Sequence, residues 1–188
     1  MGRTSEILRF WLDEVGGTGW YRQDDALDAA IRARFLDLWE AARRGGLGHW
    51  RGTARGSLAY LVLTDQFPRN MFRGEARAFA TDPAARMAAQ AAIARGLDRM
   101  IAPPARQFFY LPLMHAESLP LQERCVRLMA LRLPDGDNLP DARAHREVIR
   151  RFGRFPYRNA ALGRRDTSDE RRFLEGGGYG AVLSSLAD

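Results

Sequence analysis

The stretch DDALDAAIRARFLDLWEAARRGG, residues 24–46, decides the fold class. Its apolar residues Leu27, Ile31, Phe35, Leu38, Trp39 and Ala42 recur at spacings of three and four, the period that stacks side chains on one face of an α-helix. Asp24 and Asp25 suit the positive end of the helix dipole, and Arg43-Arg44 followed by Gly45-Gly46 close the element.

The same spacing continues on both sides. Upstream, Thr4 or Ser5 reads as the cap of a helix that places Ile7, Leu8, Trp11 and Val15 on one face and stops at Gly16-Gly17. Downstream, residues 54–66 form a nearly apolar helix that Pro68 ends by disfavouring helical geometry at Phe67. Thr81-Asp82-Pro83 starts an Ala-rich helix reaching about Met100, with Thr81 as the capping residue. Pro103-Pro104 opens a shorter helix through Phe108-Phe109-Tyr110, interrupted by Pro112. Ser118 caps the next, whose inner face is Leu121, Cys125, Leu128 and Met129. A turn at residues 134–138 leads to a helix from about Pro140 to Phe152, and the last begins at Thr167 or Ser168 and ends at Gly176. Residues 176–180, rich in glycine, read as a hinge to a tail. No strand alternation is sustained, so the expectation is an all-α fold. About eight helices stack as antiparallel hairpins, in a short right-handed solenoid or a compact bundle.

With 188 residues, 46% hydrophobic and 28% charged, the chain has the length and composition of one globular domain. That domain is expected over residues 1–180, with 181–188 as a short tail. The longest apolar run, Leu58 to Leu63, falls far short of the ~18 residues a membrane span needs. Arg9, Asp13 and Glu14 interrupt the apolar residues near the start, which argues against a signal peptide. A single cysteine, Cys125, excludes an internal disulfide, and a reducing cytoplasm is the expected compartment.

All 29 positive side chains are arginine, so arginine at one site cannot be read as chosen over lysine. Position is more informative. Arg143 to Arg172 contains ten arginines against Glu147, Asp166, Asp169 and Glu170, which accounts for the whole net charge of +6. A nucleic-acid surface would need these cations on one exposed face, but they alternate with Ile149, Phe152 and Phe155 and carry no recognised DNA-binding signature. Nucleic acid is therefore a minor alternative.

Three segments could carry chemistry. The first, Asp65-Gln66-Phe67-Pro68-Arg69-Asn70, gathers a carboxylate, amides and a guanidinium at a helix end; it reads equally as a structural corner. The second, Met114-His115-Ala116-Glu117-Ser118, lies between helices, where His115 can pack under a loop and Glu117 or Ser118 can cap a helix. The third runs from His145, on the face of Val148, Ile149 and Phe152 and so readable as a hydrogen-bonded core residue, to Arg154, Arg158 and Asn159, where guanidinium groups can converge on an anion or form a solvated basic face. His115, Glu117, His145 and Asp65 sit at no recognised metal-ligand spacing, and no cofactor or metal is expected. Cys125, on an apolar stripe, is expected to be unreactive.

Taken in order, these segments resemble the bacterial domain-of-unknown-function family 924. The motifs are residues 65–70 with Arg73-Gly74 and residues 78–82, then 113–118, then His145-Arg146 with residues 151–159. The opening Ile7-Leu8-Arg9-Phe10-Trp11 fits as well, and the likeness runs from about residue 5 to about residue 180. The resemblance implies an all-helical, tetratricopeptide-like fold and supplies no activity. It marks Asp65, Gln66, Arg69, Asn70, His115, Glu117, His145, Arg154, Arg158 and Asn159 as recurring polar positions. Tyr157 departs from it, standing where the motif carries a histidine.

The leading expectation is a shared polar pocket for a small anionic molecule bearing phosphate or carboxylate. Gln66, Arg69, Asn70, Arg154, Arg158 and Asn159 are its binding candidates. Asp65 and Glu117 hold the arginines, and His115 or His145 orients the ligand or acts as acid or base. The alternative is a helical-repeat scaffold for a protein or peptide partner, with the polar motifs fixing helix corners.

Overall fold

In the protein's structure, a computed structural model that describes residues 2–136 and 138–186, no strand occurs among the described residues and the fold is all-helical. No helix among them is long and apolar enough to cross a membrane. The chain clusters into two units, Met1–Pro112 and Leu113–Asp188.

In the first unit, α1 (Arg3–Leu8) begins after Gly2, ahead of the expected Thr4 or Ser5 cap, and buries Ile7 and Leu8. It runs into a wide turn of π-helical type over Arg9–Val15 and restarts at Gly16, whose φ of 65° suits glycine, as the short α2 (Gly16–Gly19). The α3 helix (Asp25–Arg43) follows the sequence reading closely. Asp24 caps it by accepting the N–H groups of Ala26 and Leu27, and Ile31, Phe35, Leu38, Trp39 and Ala42 are buried. Thr53 caps α4 (Ala54–Leu61) through the N–H of Gly56. Glycine is required at that position, because a Cβ there would lie 2.1 Å from the carbonyl oxygen of Trp50.

Pro68 does not end the helix. A second wide turn, Val62–Gln66, joins α4 to α5 (Phe67–Met71), with the proline in the first turn of α5. A proline has no N–H to offer the carbonyl four residues earlier, that of Thr64. The Thr81 hydroxyl supplies the missing donor, at 2.6 Å from the Thr64 carbonyl oxygen, and accepts the indole N–H of Trp39 at 3.0 Å. Thr81 therefore precedes α6 (Asp82–Ala94) without capping it by its side chain, contrary to the expectation. The Ala-rich helix stops at Ala94, short of the expected Met100, with a separate single turn at Leu97–Met100, and the expected short helix after Pro103-Pro104 is a single turn at Ala105–Phe109. Phe67, fully buried, meets the rings of Phe10, Trp11 and Phe35 at centroid distances of 6.1, 5.4 and 4.9 Å, the arrangement at the centre of this core.

After α7 (Leu111–Met114), the second unit contains α8 (Leu119–Arg132), α9 (Asn138–Phe152), α10 (Ser168–Glu175) and α11 (Gly178–Ser185). Asp137, in the expected turn at 134–138, lies outside the described residues. Ser118 precedes α8 without a side-chain cap, whereas Thr167 and Glu170 form a reciprocal capping box at the start of α10. The supposed hinge and tail are mostly helix. Val182 of α11 is buried with Ala144, Val148, Ile149 and Phe155, and Tyr179 and Leu183 pack against them. Of the expected tail, residues 187 and 188 lie outside the described residues.

Candidate functional site

The first motif segment belongs to the first unit. Arg69 reaches both carboxylate oxygens of Asp82, at 3.1 and 3.2 Å, the carbonyl of Ala78, and Asp65 at 3.5 Å. The Gln66 amide donates to Asp65 at 2.6 Å, and Asn70 donates to Asp28 at 2.7 Å. Arg73 holds the same Asp28 with two of its nitrogens. These groups tie the ends of α3, α5 and α6 together.

The second and third motif segments come together within the second unit. The rings of His115 and His145 lie edge to face at a centroid distance of 6.1 Å. His145 also packs on Tyr179 at 4.7 Å and Phe155 at 5.5 Å, and Phe155 stacks on Tyr157 at 5.2 Å. Asp141, one helical turn before His145, orients two members of this cluster. Its carbonyl lies 2.9 Å from His145 Nδ1, and its carboxylate accepts the Tyr179 hydroxyl at 2.5 Å. A carbonyl can only accept, so His145 Nδ1 is the donor in this contact. Burial, reinforced by Asp141, pushes the Tyr179 hydroxyl well above the ordinary phenol range.

Phe155 is held at its corner by charge. Glu117 accepts its backbone N–H at 2.8 Å and takes the Arg164 guanidinium with both oxygens, at 2.8 and 2.9 Å, while Arg164 also reaches the Phe155 carbonyl. Burial opposes the charge on Glu117, but Arg164, the Phe155 N–H and the nearby Arg158 charge hold its pKa below the usual carboxylate range. The buried Arg158 guanidinium lies 4.4 Å from the Phe155 ring centroid.

Arg154 and Asn159 face another carboxylate. Arg154 forks onto buried Glu170 at 2.6 and 2.7 Å, and the Asn159 amide donates to Asp166 at 2.6 Å. The Arg154 bonds, which outweigh burial, together with Thr167 hold Glu170 at about 2. Elsewhere in the Arg-rich stretch, Arg150 and Arg151 bind Glu147, Arg146 binds Glu123 and Arg172 binds Asp169. The stretch is a laced surface in which much of the positive charge is matched locally. Among the described residues, no group of three or more His, Cys, Asp or Glu could hold a metal ion.

Residues 7–178 match the family described as bacterial protein of unknown function, DUF924. The chain belongs to the DUF924 family. It is similar to a solved structure, the protein of unknown function ATU0120 from Agrobacterium tumefaciens, with 43% sequence identity and a TM-score of 0.87 over 93% of this chain and 97% of that one. No curated protein matches.

Sequence reasoning missed three members of this DUF924 cluster. Tyr179 sits in a glycine-rich run without helical periodicity, and Arg164 is one of many arginines with a partner 47 residues away. Asp141 had a local signal, since it stands four residues before His145 on the same helix.

Proposed function

We propose that this DUF924 chain binds a small anionic molecule, a carboxylate or a phosphate monoester, at the His115–His145 cluster of its second unit. The observation that carries this reading is the edge-to-face approach of two half-buried imidazoles from separate segments, walled by Phe155, Tyr157 and Tyr179. Tyr157 is 41% exposed, which gives the cluster an open side, and Arg158 contributes a cation beside Phe155. His115 and His145 donate to the anion or exchange a proton with it, and Arg158 supplies the charge. Arg69, Arg154, Gln66, Asn70 and Asn159 contribute by holding helix corners, as their carboxylate partners indicate.

The scaffold reading is favoured at those corners only. The test is a titration with inorganic phosphate and with citrate, followed by ¹H–¹⁵N correlations of the histidine rings. The expected result is a saturable shift of His115 and His145 that Arg158→Ala weakens at least tenfold while the protein remains folded. Unmoved His115 and His145 signals through millimolar ligand, or equal affinity in Arg158→Ala, sinks the reading.

A further inference from the structure

A second cationic site lies in the first unit, away from every motif that the sequence singled out. A cleft of about 380 Å³ is lined by Gly48, His49, Arg51, Gly52, Ala88, Ala91, Ala92 and Arg95, so its walls are backbone and methyl groups and its charged groups are arginines. We propose that this cleft binds a phosphate monoester, with Arg51 and Arg95 as the phosphate ligands and His49 at the rim.

Three observations support the assignment. The first is preorganisation. Arg95 donates to the carbonyls of Arg51 and Gly52 at 2.9 and 3.0 Å, and Arg51 Nε donates to the Gly48 carbonyl at 3.3 Å. Both guanidinium groups are thereby anchored to the Gly48–Gly52 turn by bonds that neutralise no charge. The turn is itself fixed by buried Trp50, by the Ser57 hydroxyl on the Arg51 carbonyl, and by the close approach of Gly56 to Trp50.

The second is the charge balance. At least nine of the sixteen arginines of this unit sit against carboxylates, among them Arg3 on Asp37, Arg34 on Glu14, Arg77 on Glu40, Arg69 on Asp82 and Arg73 on Asp28. Among the described residues, Arg51, Arg95 and His49 have no carboxylate partner, and no acid lines the cleft. The C-terminal end of α6, which Arg95 follows, contributes about half a negative elementary charge. Two full guanidinium charges outweigh it.

The third is shape. Arg51 comes from the turn and Arg95 from the end of α6, so their donors reach the cleft from two elements. A carboxylate offers one planar edge, which a single guanidinium satisfies. A phosphate offers three terminal oxygens and up to two charges, matching two forks. The space beyond, walled by Ala88, Ala91 and Ala92, suits a small ester group and falls within the size range of ligand clefts.

The test is an NMR titration of the full chain with glycerol 3-phosphate, inorganic phosphate and acetate, at ionic strength held constant with chloride. The proposal expects saturable shifts of the backbone amides at 48–52 and 91–95 and of the His49 ring with both phosphates, and at least tenfold weaker binding of acetate. Arg51→Gln, at an exposed position, should keep the parent melting temperature and weaken glycerol 3-phosphate at least tenfold. Arg95→Ala serves as a second variant and should also lose binding. Shifts that stay linear in ligand, acetate binding as tight as phosphate, or unchanged affinity in a folded Arg51→Gln overturns the proposal. The His49 ring reports this cleft and the His115 and His145 rings report the other cluster, so either can fail alone.

Discussion

The carboxylate of Glu117 accepts the main-chain N–H of Phe155 at 2.8 Å, across 38 positions of chain. With Arg164 on its other side, Glu117 links the segment after α7 to the corner that carries Phe155, Tyr157 and Arg158. Glu117→Gln keeps an acceptor for Phe155 but removes the charge that Arg164 pairs with. Urea denaturation should show a loss of about 1–2 kcal/mol, below the cost of breaking a fully buried pair because water reaches this one. In the double variant Arg164→Met should add less than it costs alone, since the ion pair is already gone and only its bond to the Phe155 carbonyl remains to be lost.

Glu170 is held at about 2 chiefly by its bonds to Arg154. A carboxylate whose folded-state pKa is depressed contributes stability that is complete above its unfolded value, near 4.3, and is lost as pH falls towards its folded value. Thermal denaturation between pH 5 and pH 2 should therefore show a steep loss of melting temperature. In Glu170→Gln the protein starts less stable at neutral pH, and its proton uptake on unfolding through that window falls by about one.

Thr81→Val removes one hydroxyl and strands two buried partners, the Thr64 carbonyl and the Trp39 indole N–H. Chemical denaturation should register a loss of about 1–3 kcal/mol, the range for leaving a buried polar group unsatisfied. A loss smaller than a few tenths would show that the proline step finds another donor.

Cys125 is fully buried on α8, and burial pushes its thiol up to about 12. At pH 8 a thiol reagent such as DTNB should leave the native protein unmodified and react fully once the protein is unfolded in guanidinium. Rapid reaction of the native form would contradict the packing of α8.

The sequence made the helices legible wherever periodicity and a cap agreed, as they do at Asp24 for α3 and at Thr167 for α10. It misled at Pro68, where local chemistry argues for a stop. Continuation depends on a hydroxyl 17 positions away from Thr64, which no local pattern records. The two Phe-Pro steps, Phe67-Pro68 and Phe155-Pro156, illustrate the same limit. Phe67 is helical and Phe155 extended, so similar residues serve different conformations in different packing. In the candidate site, His115 and His145 come together, and Glu117 lies near Arg158. The partners of Arg69 and Arg154 lie 13 and 16 positions away, and with arginine at every basic position the sequence held no clue to which were already matched.

The Trp39–Thr81–Thr64 chain has a further effect on how precisely the first unit is assembled. Hydrophobic faces tolerate a helix sliding along its neighbour, because one methyl group replaces another. A shift of α6 by one position would move the Thr81 oxygen off both partners at once and leave an indole and a carbonyl in oil. One hydroxyl thus acts as an index pin, setting the longitudinal alignment of three helices whose greasy surfaces would accept several.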